Sequence, residues 1–74
     1  MANGLYQLLY MRNGQGVLTM FTEKLEEAEE RGRRMAEAER KQGIDATINI
    51  SYLPDVPDVF RKSFAGQSYN LVRE

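Results

Sequence analysis

The chain has no cysteine, no histidine and no tryptophan among its 74 residues. Without cysteine no disulfide can staple a small fold, and thiols say nothing about compartment. Without cysteine or histidine a metal would need carboxylates alone, and the sequence gathers none at a suitable spacing. No metal and no cofactor is therefore expected. Proline occurs only at Pro54 and Pro57, so most of the chain is free to form regular structure. No apolar run approaches the ~18 residues that cross a bilayer as a helix. The N-terminus lacks a basic stretch followed by an apolar one, so no signal peptide is expected. A cytoplasmic protein without a membrane partner is the resulting expectation.

Charge of one sign is also missing. Ten basic residues meet eleven acidic ones, for a net charge of -1. Residues 1–22 carry +1, residues 23–43 carry -1 and residues 44–74 carry -1. There is no basic arm, no acidic tail and no block shaped for a polyanion. The length predicts one domain over residues 1–74, without internal repeats. A core this small contributes only a few kcal/mol of net stability. Oligomerisation is the remaining common remedy, which points to a homodimer.

The strongest pattern present is EKLEEAEERGRRMAEAERKQ, residues 23–42, followed by Gly43. It is built almost wholly of good helix formers. Thr22 stands at the expected N-cap and Gly43 at the expected C-cap. Carboxylates crowd the first half and cations the second, as the helix dipole favours. Glu27/Arg31, Glu29/Arg33, Glu30/Arg34 and Glu37/Lys41 are spaced for ion pairs of ~0.3 kcal/mol each. Leu25, Ala28, Gly32, Met35 and Ala36 form a narrow apolar stripe, with Phe21 leading in. Ala28, Gly32 and Ala36 lie four apart, so large side chains from a sheet can fill the space they leave; the competing reading is self-association through this small-residue face. Glu39 is expected to emerge past the edge of the core.

Around this helix the sequence predicts an α+β fold. Residues 5–12 and 17–21 read as strands of a hairpin turned at Asn13-Gly14. A regular ladder puts Leu5, Gln7, Leu9, Met11, Leu18 and Met20 on one face. It puts Tyr6, Leu8, Tyr10, Val17, Thr19 and Phe21 on the other. Both faces are apolar, yet one helix covers only one. Residues 44–53 alternate Ile44, Ala46, Ile48, Ile50 and Tyr52 with polar residues, which marks a half-buried strand. A right-handed crossover then gives an antiparallel sheet of order 2-1-3. In residues 54–74, Asp55 is expected to cap a short helix over 56–65 that Gly66 closes, with Val56, Phe60 and Phe64 on one side. The stretch from residue 67 to 74 reads as a fourth strand, Tyr69 and Leu71 sharing a face, or as a tail ordered on contact.

No constellation carries catalysis. Ser51, Ser63 and Ser68 have no base beside them and no glycine-flanked elbow. Asp55 and Asp58 flank prolines in a connection, where turn formation explains them. Asn13-Gly14-Gln15-Gly16 precedes no helix directly and is a hairpin turn, not a phosphate cradle. The chain is therefore expected not to be an enzyme.

Two binding readings remain. In the first, Tyr6, Leu8, Tyr10, Val17 and Phe21 form a partner-binding face, with aromatics central and polar groups at the rim. The protein is then a small interaction module, homodimeric, that occludes or bridges a macromolecular partner. Accessory and inhibitor proteins of phages and mobile elements are often of this make-up, although no motif here carries the comparison. The competing structural outcome is that Val56, Phe60, Phe64 and Tyr69 fold back over that face and complete an ordinary core. In the second reading Tyr6 and Tyr10 stack the bases of a single-stranded nucleic acid. The scattering of Arg31, Arg33, Arg34, Arg40 and Lys41 among glutamates counts against it, as does the small number of cations elsewhere: Arg12, Arg61, Lys62 and Arg73.

Overall fold

A computed structural model describes residues 4–72. The described residues form one antiparallel four-stranded sheet with two helices, an α+β fold. In chain order the elements are β1 (Leu5–Arg12), β2 (Gln15–Thr22), α1 (Leu25–Arg40), β3 (Ala46–Leu53), α2 (Asp58–Phe64) and β4 (Ser68–Asn70). The sheet order is β3-β1-β2-β4. The expected order of the first three strands is retained, and β4 extends the sheet beside β2. Residues 73–74 of the expected last strand lie outside the described residues.

The hairpin turns on Asn13 and Gly14, at φ 52° and 81°. Both are left-handed, as a two-residue turn matched to strand twist requires. Arg12 then faces Gln15 and Met11 faces Gly16, but Tyr10 faces Leu18. Val17 is the extra residue of a β-bulge. From that point β2 is rotated by one residue relative to a regular ladder. This corrects the expected faces. Leu18 and Met20 lie with Leu8 and Tyr10, whereas Thr19 and Phe21 lie with Leu9 and Gln7.

The helix packs on the face of Leu8 and Tyr10. Leu8, Met20 and Ala28 form one buried cluster, flanked by Met35, Ile48 and Ile50. Tyr10, Ala36 and Ala46 form a second, flanked by Val17, Leu18, Met35 and Ile48. The row of Ala28, Gly32 and Ala36 is the buried edge of the helix. A Cβ on Gly32 would stand 2.9 Å from Ile48 Cδ1 and 3.2 Å from Leu8 Cδ1. The expected close approach is thus present, and isoleucine and leucine from the sheet fill it. Fully burying a side chain such as Leu8 stabilises by roughly 2 kcal/mol. Leu25, placed on the stripe by periodicity, is exposed in the first turn.

The helix begins two residues later than expected. The residue before it is Lys24, and its side chain makes no cap. Thr22 acts one turn earlier: its hydroxyl accepts from Lys24 N at 3.1 Å and donates to Glu27 Oε2 at 2.8 Å. At the other end Gly43, at φ 81°, ends the helix with a Schellman pairing. Ile44 N donates to Glu39 O and Gly43 N to Arg40 O. Ile44 is therefore spent on the helix end, and β3 starts at Ala46. Of the four spaced ion pairs, Glu30–Arg34 is closed, at 2.7 Å and on the exposed side.

After β3 the chain crosses the end of the sheet to its far edge. Asp55 caps nothing: it sits at φ 56° in the turn, and Pro57 precedes α2 without a side-chain cap. Arg61 ties α2 to the start of the long helix, reaching Glu23 at 3.2 Å and pairing with Asp58. Phe21 N and O bond Gln67 O and Gly66 N, which seats the segment before β4 against β2. The Cα positions span only 16 Å in their smallest dimension, one sheet and one helix deep. The C-terminal segment adds β4 to the sheet's edge, and Phe64 of α2 packs on Phe21 from the side opposite α1.

Candidate functional site

The five residues expected to share a binding face are divided by the structure. Leu8 and Tyr10 are 0% and 2% exposed beneath the helix. Tyr6, half-buried on that same side, packs against Tyr52 with ring centroids 5.0 Å apart and ring planes tilted by 47°. Val17, half-buried at the bulge, packs on the Tyr10 cluster. Phe21 alone faces the other way. The base-stacking platform of Tyr6 and Tyr10 is corrected on the same ground, because the helix covers Tyr10. The physical reason is the pairing of Leu8 with Ile50 and Tyr10 with Ile48, which puts the even residues of β1 on the apolar side of β3.

Tyr10 and Glu39 make the most strongly perturbed pair of titratable groups. Glu39 was expected beyond the core edge, but its carboxylate is drawn back to the sheet. Tyr10 OH donates to Glu39 Oε1 at 2.5 Å, and Arg12 Nε donates to Oε2 at 2.8 Å. Burial, and then the bond to Glu39 and its negative charge, push the Tyr10 phenol up to about 12. Arg12 and Arg40 oppose this. The bonds from Tyr10 and Arg12 hold the Glu39 carboxyl below its ordinary value, against partial burial. Both carboxylate oxygens are thus occupied, and the pair anchors the end of the helix to β1. Beside it runs an open groove of about 690 Å³, lined by Val17, Leu18, Met35, Glu39 and Val72 among others. Among the described residues, no three Asp or Glu side chains lie close enough together to hold a metal ion. Among them also, no helix is long and apolar enough to cross a membrane.

The open side of the sheet has a different character. Alternation from the paired positions places Gln7, Leu9 and Met11 of β1 there, together with Leu5, which is 1% exposed and so covered at its end of the face. Thr19 and Phe21 of β2, Thr47, Asn49, Ser51 and Leu53 of β3, and Tyr69 of β4 join them. No charged side chain stands on the strands of this face. Its β2–β4 half is aromatic. Phe21, Phe64 and Tyr69 close a triangle with centroids 5.5, 6.2 and 6.3 Å apart. Leu71 extends the apolar strip, lying where a Cβ on Gly16 would meet both it and Leu9. Tyr69 is 40% and Leu71 48% exposed. The β3 half is polar, and between the halves Gln7 Nε2 donates to Thr19 Oγ1, which donates to Leu8 O.

Sequence reasoning missed this surface because the bulge exchanged the faces of β2. The odd residues of β1 did carry a signal, since Leu5, Leu9 and Met11 alternate with the Tyr6, Leu8 and Tyr10 row. The Tyr10–Glu39 bond joins residues 29 apart and had no local signal.

Comparison with protein-family models, curated proteins and solved structures finds no match to this chain.

Proposed function

We propose that this chain is a small non-enzymatic protein–protein interaction module, homodimeric, that occludes or bridges a macromolecular partner. The observation that carries the proposal is the uncharged, half-aromatic open face of the sheet. An exposed apolar strip beside polar groups has the make-up of a protein contact surface. Its anchors are Phe21, Tyr69 and Leu71, with Gln7, Asn49 and Ser51 supplying donors and acceptors toward the polar side. An accessory or inhibitory role suits such a surface, since masking a partner needs contact and no chemistry.

Single-stranded nucleic acid is the weaker reading. The aromatic triangle offers stacking area, but a phosphate-tracking surface needs cations. The open strand face has none, and Arg61 beside it is already paired with Glu23 and Asp58.

The test places a photo-crosslinking side chain at Tyr69, on the open face, or at Glu37, on the exposed side of the helix, in the native cell. A discrete adduct at position 69 that is absent at position 37 is expected. The same products from both positions, or none from either, would overturn the reading.

A further inference from the structure

The outer edge of β3 lacks the usual protections of an exposed strand. Edge strands are normally kept apart by charges, prolines, bulges or short length. The eight residues of β3, ATINISYL, contain no charge and no proline, and they pair with β1 in unbroken register. Among the described residues, no strand lies beyond β3 in the sheet order.

Two hydrogen bonds show which backbone groups this edge presents. Asp45 O accepts from Asn13 N at 2.7 Å, so it points toward β1. Ala46 O accepts from Arg40 Nε at 3.0 Å and Nη2 at 2.7 Å, so it points outward. Along an antiparallel strand the direction alternates by residue. Ile48, Ile50 and Tyr52 therefore present N–H and C=O on the free edge. Among the described residues, no bond outside the sheet ladders takes any of these groups.

The free edge is also bounded at both ends. Arg40 occupies the carbonyl of Ala46, and Pro54, the next outward position, has no N–H. Three open residues remain, symmetric about Ile50. We infer that the β3 edge pairs antiparallel with β3 of a second copy, about a two-fold axis at Ile50, to give one continuous eight-stranded sheet. Ile50 then faces Ile50 of the other copy, and Ile48 faces Tyr52. Each facing pair exchanges two bonds, for about six in all. A shift of two residues in one direction sets Tyr52 against the occupied carbonyl of Ala46. The opposite shift sets Ile48 against Pro54. The axis at Ile50 is the register that meets neither obstacle. β3 itself brings no charge to the seam. The two open faces join on one side of the sheet, so a dimer presents two adjacent contact surfaces. This inference goes beyond the interaction-module reading, because it rests on the edge and not on the open face.

The chain's lack of cysteine makes the register directly testable. The axis at Ile50 sets Asn49 opposite Ser51 of the second copy. These form a non-hydrogen-bonded pair with Cα atoms ~4.5 Å apart, within disulfide reach. N49C and S51C are both exposed substitutions on full-length chains. Oxidised as an equimolar mixture they should give a disulfide-linked mixed dimer, while neither should cross-link alone. Cross-linking of N49C with itself would show a different axis and overturn the register. No cross-link in any sample would overturn edge pairing altogether. As a second variant, Tyr52→Pro removes an outward N–H and spares the ladder to β1. It should abolish the dimer with helical circular dichroism retained, and a folded Tyr52→Pro dimer would contradict the proposal. Tyr69→Lys should leave the cross-link unchanged, which separates failure of the edge from failure of the open face.

Discussion

Gly32 sets how closely the helix meets the sheet. Its missing side chain lets Ile48 and Leu8 press against the helix backbone. This was legible, because three small residues four apart in a helix imply a close neighbour. Gly32→Leu should cost about 2 kcal/mol through overpacking, read as a lower urea midpoint with an unchanged slope. Tyr10 and Glu39 were not legible as a pair, since only the fold brings them together. Their effects on stability fall at opposite ends of the pH scale. The phenol of Tyr10 is raised from 10.0 to about 12, so folding favours its protonated form. Its contribution is present below the unfolded value and is lost as pH rises from 10 toward 12. The Glu39 carboxyl is lowered from 4.5. Its contribution is present above that value and is lost as pH falls through the depressed one. Stability should therefore be level near neutrality and fall at both extremes. Tyr10→Phe should flatten the alkaline fall, and Glu39→Gln the acid one, in denaturant titrations repeated across pH.

The bulge in β2 decides what each face of the sheet carries. Residues 17–21 read VLTMF, apolar in either phase, so alternation could not reveal which side each residue takes. The third strand was clear for the opposite reason: Thr47, Asn49 and Ser51 separate its apolar residues cleanly. Val17 is extra to the ladder, because Gly16 already faces Met11 and Leu18 already faces Tyr10. Deleting Val17 should keep Leu18 opposite Tyr10 and lose only the packing of one valine, about 1–2 kcal/mol. Cross-strand nuclear Overhauser contacts between the two residues would check this, and their loss would show that the bulge sets the register. At the end of the long helix, Gly43 at φ 81° holds a conformation that costs other residues about 1–2 kcal/mol. Gly43→Ala should lower stability by about that amount in the same titration.

At the scale of the whole molecule, the chain spends its one long helix on one side of the sheet. The sequence predicted that a second apolar face would be left over and named for it Tyr6, Leu8, Tyr10 and Val17, which lie on the helix side, along with Phe21, which does lie on the open one. It also left open whether the C-terminal segment would cover that face. Phe64 and Tyr69 do reach Phe21, but α2 runs at the sheet's end and contributes no buried residue. The uncharged face and the bare β3 edge together motivate an assembly account. Under it, Tyr69→Lys with Leu71→Lys should weaken partner binding by about tenfold or more and leave the dimer intact. The measurement that bears most directly on this account is the solution mass of the unmodified chain, by light scattering across a dilution series. The account predicts twice 8.5 kDa at high micromolar concentration, falling toward the single-chain mass on dilution. A mass of 8.5 kDa at every concentration would contradict it.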